Sequence, residues 1–543
     1  MTRTRWWSAA IVFLTPLLLF STNLDGTWIL DDHYQVERNP YIRSFQFLGR
    51  IFTTRVWQST SNETLGSDIY RPVFLSSYMV DYQIFGLHPF GFHLANNLLH
   101  GINCLLLFFL IRRLLSTGPA LLGTLLFAVH PIGVEAVTWI GGRMDLLMTL
   151  FALINLHLFL RIADPDRRTS LLATTLFLLS VPLGILSKEP FILVPFFTVG
   201  AWFLTRSRDR VAATHVALST LLLILVTLIT LRWRNQIVAR EILGLISLEN
   251  VRNAGELLKR FVLLFFVPSR SDFLSPYFSA PFRGSVDLPR FLLFLLPISY
   301  AAWRWRKNRP YLIGLSLFAA PLIPVTLVLD TLGVISERYF YLPLAGIAIW
   351  VATLVAPLFE PVLGSELRRA KKLLLACSMV WVALLAGRTV LRNREWRDEP
   401  RLFTSSMSQN RSNHLPHFFL AWHFHREGDL RREMLSYLEV LRRRPDDISS
   451  MNNLAVLLID QREFSRAEPI LARVMELDPK RAKTYYNFGY LAEARGDRKS
   501  AAESYRRAIA LDPEYVLARD GLARVTNRAE TGERSPSRSR PPL

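Results

Sequence analysis

The sequence predicts an all-α protein in two parts: a polytopic membrane domain of about eleven transmembrane helices, then an α-solenoid of stacked helix pairs. Three observations support this prediction. Eleven apolar runs are long enough to cross a bilayer as helices. Lysine and arginine are concentrated in alternate loops between these runs. After residue 390 the apolar runs stop and a repeat of 34 residues begins.

The composition places the chain in the membrane class. Its 543 residues are 51% hydrophobic and carry a formal net charge of +20, a combination that soluble globular domains do not show. Nucleic-acid binding is not predicted, because the cations form short clusters between apolar runs rather than one basic face. The two cysteines, Cys104 and Cys377, both lie in apolar runs, so neither a disulfide framework nor a cysteine metal site is expected.

The predicted spans begin close to the N-terminus. They cover residues 7–23, 93–111, 119–137, 144–160, 169–186, 190–205, 211–231, 287–303, 310–329, 340–358 and 372–387. The first span follows a basic "MTRTR" start, as a signal peptide does. It has no small-residue cleavage site and ten further spans follow it, so an uncleaved anchor is predicted.

Loop charges predict the orientation of the chain. With a cytoplasmic N-terminus, the cation-rich loops all face the cytoplasm, among them "RSRDR" from 206, "RWRKNR" from 304 and "RRAKK" from 368. This agreement requires that the apolar segment 254–268 does not cross, so we expect an in-plane or re-entrant helix there. An odd number of spans then places the C-terminal domain on the outer face, with a bacterial periplasm as the first expectation.

The chain divides into four segments. The membrane domain covers residues 1–390, with outer loops at 24–92 and 232–286, and a polar linker covers 391–413. Pro445, Pro479 and Pro513 then recur every 34 residues, the period of the tetratricopeptide (TPR) repeat. Three repeats (414–447, 448–481 and 482–515) and a capping helix (516–527) predict a curved array whose concave face suits extended peptides. The polar tail, 528–543, is expected to be disordered.

Several sequence blocks occur in an order that matches a known family. They are "DDHYQVERNP" from 31, "YRPV" from 70, "GLHPFGFHLANNLLHG" from 86, "AVHPIGVEAVTWIGGRMDLL" from 128, "SKEP" from 187 and "SERYFYLPLAG" from 336. Together with the appended repeats, they make the chain resemble the transmembrane-and-TPR-containing (TMTC) mannosyltransferases of the GT-C glycosyltransferase class.

The resemblance has three implications. It implies eleven spans, a polyprenyl-phosphate-linked sugar donor such as dolichyl phosphate mannose, and transfer on the lumenal or periplasmic side. The three repeats form a shorter array than those of the eukaryotic relatives, which leaves the acceptor open between a polypeptide and a glycan.

Asp31 and Asp32 are the candidate catalytic residues. A hydroxyl that attacks a sugar phosphate needs a base, and a carboxylate whose pKa is raised by a neighbouring like charge can serve. Two adjacent carboxylates can instead hold a divalent cation over the phosphate, and no other cofactor is predicted. The structural alternative is an N-cap or a turn. The resemblance implies that this acidic pair is catalytic, without deciding which aspartate is the base.

Cations at the outer ends of helices are the candidates for binding the lipid phosphate, because negative charge develops on that leaving group. They are Arg338, Lys188, Arg143 and Arg71, of which Arg338 is preferred. The alternative for each is a position at the membrane interface or an ion pair with Glu337, Glu189 or Asp145.

Further polar residues in apolar stretches are predicted to line the site, since such groups must either pair or face water. They are His130, Glu135, Asp145, Glu189, Glu337, Tyr339, His93 and Asn97. A purely structural hydrogen-bond cluster is the alternative for the block from His130. His93, Asn96, Asn97 and His100 share one helix face, where contacts between helices are favoured over donor binding.

The sequence therefore predicts a membrane glycosyltransferase that transfers a sugar to a hydroxyl acceptor with inversion. The competing hypothesis is a non-enzymatic membrane scaffold that recruits partners through its repeats. A transporter is a third hypothesis, but its ionisable residues are expected at the membrane midplane, whereas those of this chain cluster at the ends of the spans.

Overall fold

The computed structural model describes residues 3–56, 69–164, 171–205, 210–237, 261–262, 264–266, 268, 303–305, 307–332, 336–361, 365–409, 411 and 413–531. It divides into two compact units, Met1–Leu402 and Phe403–Leu543. No β-strand occurs in the described ranges, which confirms the predicted all-α class.

Unit 1 contains the membrane domain. Its helices are α1 (Arg3–Phe20), α2 (Leu48–Ile51), α3 (Pro72–Phe85), α4 (Pro89–Leu114), α5 (Thr117–Val129), α6 (Val134–Thr138), α7 (Arg143–Ile162), α8 (Leu171–Ser187), α9 (Val194–Thr205), α10 (Arg210–Ile237), α11 (Arg309–Leu332), α12 (Tyr341–Val355), α13 (Ser365–Glu395) and α14 (Glu399–Gln409), whose last turns lie in unit 2.

Six described helical segments are long and apolar enough to cross a membrane: Trp6–Asn23, Pro89–Leu114, Ile140–Ile162, Val216–Gln236, Glu337–Phe359 and Glu366–Glu395. A seventh span is formed if the bent pair Thr117–Val129 and Pro131–Thr138 counts as one. Shorter apolar helices cover Leu171–Ser187, Glu189–Phe203 and Arg309–Val325. Apolar helices thus coincide with ten of the eleven predicted runs. Residues 287–302 of the remaining run lie outside the described residues, so a total of eleven spans stays a prediction.

The bend between α5 and α6 has a local cause. Proline restricts the residue before it to extended conformations, and His130, before Pro131, has φ −75° and ψ 130°. The His130 side chain accepts a hydrogen bond from the Ile132 amide at 3.3 Å. A second break at Trp139 starts a short 3₁₀ helix, Ile140–Gly142, before α7. Because of the first break, the chain bends by 50° between α5 and α6 instead of continuing straight.

The predicted outer loop 24–92 is an ordered, packed segment outside residues 57–68, which are not described. It contains α2, α3 and short helices at His33–Glu37, Pro40–Arg43 and Phe45–Phe47. Its core side chains are buried together with three residues of the α6–α7 region; the cluster includes Val36, Ile42, Phe74, Tyr78, Phe92, Ile140, Met144 and Leu147. This packing fixes the aspartate pair against the membrane helices.

Most of the predicted in-plane helix and of the outer loop 232–286 falls outside the described residues, as does the end of the tail from 532. The predicted linker 391–413 holds the end of α13 and all of α14.

Unit 2 consists of helix pairs. Its helices are α15 (Leu415–Glu427), α16 (Leu430–Arg443), α17 (Ile448–Asp460), α18 (Phe464–Leu477), α19 (Ala482–Arg495), α20 (Arg498–Leu511) and α21 (Val516–Thr531). Each predicted repeat holds one pair. The small repeat residues Ala421 and Ala455 are fully buried, and a Cβ added at Gly489 would meet the Tyr505 ring at 2.6 Å. Small side chains at this position therefore allow the paired helices to pack closely.

Candidate active site

Asp32 and Asp31 occupy different environments. The Asp32 side chain is fully buried, and both of its oxygens accept backbone hydrogen bonds, from Ile29 N at 3.2 Å and from Gly141 N at 3.0 Å. Asp31 is partly exposed. Burial raises the pKa of Asp32 well above its usual value, although the two amide donors oppose the shift, and the Asp31 charge adds to it. Asp32 therefore favours its protonated form more than an ordinary aspartate does.

The backbone just before the pair adopts an uncommon conformation. Leu30 has φ 53°, in the left-handed region that side chains with a branched γ-carbon seldom enter. Its amide donates to Glu399 Oε1 at 3.0 Å, which ties the turn to the start of α14. Such a conformation persists only where the surroundings determine it, and it is found disproportionately at functional sites. The turn thus presents Asp31 in a fixed position.

Arg338 and Lys188 lie in one ionic cluster. Arg338 Nη1 contacts Glu135 Oε1 at 2.7 Å, and its amide donates to Glu135 Oε2 at 3.1 Å. Arg338 Nε lies 3.8 Å from Asp145 Oδ2, and Lys188 also bonds to Asp145. The Tyr339 ring lies beneath both cations, 5.0 Å from Lys188 Nζ and 5.4 Å from the Arg338 guanidinium carbon. Five predicted site residues are therefore brought together here.

Arg71 forms a second ionic group through the residue next to Lys188. Its guanidinium donates twice to Glu189 Oε2, at 3.1 and 2.8 Å. Arg234 Nη2 approaches the other oxygen of Glu189 at 3.4 Å. Arg234 was not among the predicted residues. In the sequence, Arg234 could have been found from its position: it follows the apolar run 211–231, which begins next to the cation-rich loop "RSRDR".

One short segment connects the aspartate turn with the cations. Gly141 donates to Asp32, and two residues earlier the Trp139 ring lies 4.7 Å from the Arg338 guanidinium carbon. The segment 139–141 is fully buried. The acidic turn and the cation cluster therefore both contact this segment, and any movement of it would affect both.

Arg143 lies in a separate group. It is buried, forms an ion pair with Asp81, and donates to Asn96 Oδ1 at 2.7 Å and to the Phe92 carbonyl at 2.8 Å. The Tyr78 ring lies 4.7 Å from its guanidinium carbon. These contacts join α3, α4 and α7. The Arg143 guanidinium therefore has its partners inside the protein. The side chains of Arg71 and Arg338, by contrast, remain partly exposed.

The remaining predicted residues occupy contacts around these groups. Asn97 and Asn23 exchange hydrogen bonds at 2.9 and 3.1 Å, which joins α4 to the end of α1. His93 is buried close to Gly26, where an added Cβ would lie 2.8 Å from the imidazole Nε2. Glu337 lies 3.4 Å from Arg392, and His130 Nε2 lies 3.2 Å from the Phe265 carbonyl. The predicted helix-face contact of Asn97 thus joins two helices.

Among the residues that the structure describes, no group of three or more histidine, cysteine, aspartate and glutamate side chains could hold a metal ion. With both Asp32 oxygens bonded to amides, Asp31 is the member of the pair better placed to offer a metal ligand.

Comparison with known families identifies both parts of the chain. The family described as dolichyl-phosphate-mannose-protein mannosyltransferase matches residues 74–233. Tetratricopeptide repeat families match residues 448–477 and 482–515. The repeat matches confirm the second and third of the three predicted TPR repeats.

Named relatives match most of the chain. Protein O-mannosyl-transferase TMTC3 of Mus musculus is 23% identical over 90% of this chain and 58% of its own length. Protein O-mannosyl-transferase TMTC4 of Homo sapiens is 26% identical over 74% of this chain and 62% of its own length. The chain spans about three fifths of the length of these relatives.

Among solved structures, ArnT from Cupriavidus metallidurans bound to undecaprenyl phosphate is 16% identical, with a TM-score of 0.41, over 93% of this chain and 80% of that one. A TM-score at this level does not by itself establish a common fold. The agreement of the relatives, the mannosyltransferase match and the repeats is the stronger finding. The chain is thus related to the TMTC protein O-mannosyl-transferases, as its sequence blocks predicted.

Proposed function

We propose that this protein is a GT-C glycosyltransferase that transfers mannose from a polyprenyl-phosphate carrier to a serine or threonine hydroxyl of a polypeptide. The names of its relatives and of the matching family support the sugar, the lipid carrier and the protein acceptor. The observation that carries the proposal is structural. The turn that carries a partly exposed aspartate and a cluster of cations contact the same buried segment, 139–141.

Asp31 is the proposed general base. It takes the proton of the acceptor hydroxyl while the hydroxyl oxygen forms a bond to the anomeric carbon and the bond from that carbon to the phosphate oxygen breaks. This single displacement inverts the anomeric centre, and the lipid phosphate leaves as an anion. Asp32 is the positioning residue, because its two backbone hydrogen bonds hold the turn and its complete burial keeps it away from an acceptor hydroxyl.

The phosphate seat consists of Arg338, Arg71 and Lys188, with Arg234 beside them. These four cations contact three carboxylates, those of Glu135, Asp145 and Glu189, so one positive charge is left to match an anion. Arg338 and Arg71 are partly exposed, so a phosphate can approach both guanidinium groups. Pre-positioned cations in a water-poor site stabilise the developing negative charge of the leaving group.

The TPR array is proposed to hold the acceptor polypeptide. Polar side chains on the first helices of two successive repeats form a hydrogen-bonded row: Asn487 Nδ2 donates to Asn452 at 2.8 Å, and Lys483 Nζ to Asn453 at 3.4 Å. These asparagines are buried, so their hydrogen bonds join successive repeats, and the proposal rests on the concave face that stacked repeats offer to an extended peptide. The predicted eleven spans and cytoplasmic N-terminus support a location of the array and of the transfer on the outer, periplasmic face.

Two single substitutions test the proposal. Purified protein with Asp31→Asn should transfer labelled mannose from a lipid-linked donor about 10²–10⁴-fold more slowly, the usual effect of losing a general base. Its thermal unfolding midpoint should stay close to that of the original protein. Asp32→Asn replaces one carboxylate oxygen by an NH₂ group, so one of the two backbone amides that bond to Asp32 would face a donor. The thermal unfolding midpoint of this variant should therefore fall.

Undiminished transfer by Asp31→Asn would contradict the assignment of the base. The absence of transfer from any lipid-linked sugar by the original protein would favour the alternative function, a membrane-anchored TPR scaffold. A divalent cation at Asp31 would be revealed by loss of transfer on chelation and its recovery with added metal.

A further inference from the structure

A cavity of about 700 Å³ lies where the apolar part of α1 ends, next to the end of α13. Residues of three segments line it, including Leu24, Asp25, Phe90, Arg394, Arg397 and Arg401. The cavity shares no residue with the aspartate turn or with the cation cluster of Arg338. The Asn393 side chain, adjacent to Arg394, donates to Thr22 Oγ1 at 2.6 Å, which fixes this end of α13 against the end of α1.

The cavity wall is strongly cationic. Arg397 pairs with Asp25 at 2.5 Å, and Arg401 with Asp398 at 3.3 Å. Arg394 is exposed and has no carboxylate partner in the described part of the chain. A lone guanidinium beside two others favours the binding of an anion, above all a phosphate, whose oxygens match the guanidinium fork.

Two nearby carboxylates do not neutralise this wall, because they are engaged elsewhere. Glu395 contacts Arg392 at 2.7 Å and Arg388 at 3.2 Å. Glu399 accepts from the Leu30 amide at 3.0 Å. Because Asp25 and Asp398 match the charges of Arg397 and Arg401, the charge of Arg394 remains to attract an anion.

Apolar surface leads to the cavity along α1. Ile11, Leu14 and Leu18 are exposed, and their spacing of three and four residues puts them on one face. The helix ends at Phe20, and Ser21 and Asp25, which follow directly, both line the cavity.

A matching stripe runs along α13. Val380, Leu384 and Leu391 are exposed there, and Arg394 follows on the same face. Two apolar stripes thus end at one cationic cavity, and hydrocarbon chains lying along them would bring a headgroup phosphate to Arg394. A soluble anion would use the arginines but not the stripes.

We propose that this cavity binds the phosphate of an anionic membrane lipid, whose chains lie along the exposed stripes of α1 and α13. The bound chemistry is a phosphate ester attached to a hydrocarbon tail, so both a bulk phospholipid and a polyprenyl phosphate qualify. This site is additional to the proposed donor seat at Arg338 and does not depend on it. Arginines at a membrane boundary can also extend toward water without binding a specific ligand. The experiment must therefore distinguish a lipid-binding site from such interfacial arginines.

The test uses the full chain in detergent and native mass spectrometry of bound lipid. Short-chain phosphatidylglycerol and phosphatidylcholine of equal tail length are titrated separately, and a short polyprenyl phosphate and inorganic phosphate are added as competitors. Phosphatidylglycerol is expected to bind more tightly than phosphatidylcholine. Arg394→Ala should weaken phosphatidylglycerol binding roughly tenfold or more, the effect of losing a hydrogen bond between charged groups.

Arg369→Ala is the matched control. It removes one exposed arginine from the other end of the same helix, where a pair with Glu366 at 3.6 Å is its contact, and lipid binding should change less than about twofold. Arg394→Lys keeps the charge and should retain most of the binding, which separates a site effect from misfolding. Displacement by polyprenyl phosphate alone would identify that lipid as the preferred ligand and would support the proposal.

Three results would overturn the proposal. They are unchanged phosphatidylglycerol binding by Arg394→Ala, equal binding of phosphatidylcholine, and displacement by inorganic phosphate at the same concentration as by lipid. The first two would leave the arginines as ordinary interfacial cations. The third would make the cavity a site for a soluble anion.

Discussion

Asp31 and Asp32 are identical side chains on neighbouring residues, yet their surroundings give them different chemistry. Asp32 is enclosed and bonded to two amides, whereas Asp31 keeps access to solvent. The sequence predicted that this pair matters, but it could not rank the two, because Gly141, which distinguishes them, lies more than a hundred residues away.

Ion pairing of the predicted cations also depends on tertiary contacts. The sequence offered Glu337, Glu189 and Asp145 as partners because each stands close in the chain to a candidate cation. Adjacent residues on a helix do not face each other, and the observed pairs all join distant segments: Arg338 with Glu135, Arg71 with Glu189 and Lys188 with Asp145. The residue types were predictable, whereas their pairing was not.

Arg143 is expected to stabilise the fold rather than bind phosphate. Arg143→Met would leave the buried Asp81 carboxylate without its partner, at a cost of about 3–5 kcal/mol. The thermal unfolding midpoint of the purified protein should therefore fall strongly. The double variant Arg143→Met, Asp81→Asn should lose less than the sum of the single variants, because the contacting pair is removed as a unit.

A different result would restore the role predicted from the sequence. If Arg143→Met keeps its unfolding midpoint but loses mannose transfer, Arg143 belongs to the phosphate seat. Arg71→Ala serves as the comparison, since its partly exposed side chain should affect transfer more than stability.

At the scale of helices, apolar runs were predictable because spanning a bilayer requires long stretches without charge. The breaks inside them were not. Residues 119–137 read as one continuous span, but Pro131 divides it into α5 and α6 with a bend of 50°. Helix α3 was not predicted at all. Its 14 residues are too few to cross a membrane, and no periodic pattern of apolar residues marked it as a helix.

Close helix packing gives a prediction at this scale. Gly346 on α12 faces Gly314 on α11, and a Cβ at position 346 would contact the Gly314 carbonyl oxygen and lie 2.8 Å from the Phe318 amide nitrogen. Backbone atoms cannot move aside as side chains do, and small residues are what allow membrane helices to approach closely. Gly346→Ala should therefore destabilise the protein by about 1–3 kcal/mol.

Gly387→Ala is the control for this substitution. It makes the same change in a helix, α13, but nothing lies within 4 Å of the added Cβ. The comparison is the shift in thermal unfolding midpoint of the two purified variants in one detergent. Equal midpoints would show that α11 and α12 do not pack at the distance described.

At the scale of the whole molecule, the division into a membrane unit and a repeat unit follows from sequence statistics that involve no tertiary contact. Apolar content falls at residue 390, and Pro445, Pro479 and Pro513 mark the period of the helix pairs. The exact boundary did not follow from them. The predicted linker looked polar, yet α14 occupies much of it, because a polar helix with one buried face carries no strong composition signal.

Membrane orientation supports the proposed reaction, because Asp31 must reach an acceptor outside the cytoplasm. Positive loops predict that residue 369, in the "RRAKK" cluster, is cytoplasmic and that residue 499, in the repeat unit, lies outside. Both Arg369 and Lys499 are exposed, so a cysteine at either position should be accessible. In a Cys377→Ser background, which removes the exposed native thiol, a membrane-impermeant maleimide should label Lys499→Cys after the outer membrane is opened and Arg369→Cys only after lysis. The reverse pattern would put the repeats and the aspartate turn in the cytoplasm, where an acceptor exported in extended form would not meet them, and the proposed transfer would have to be abandoned.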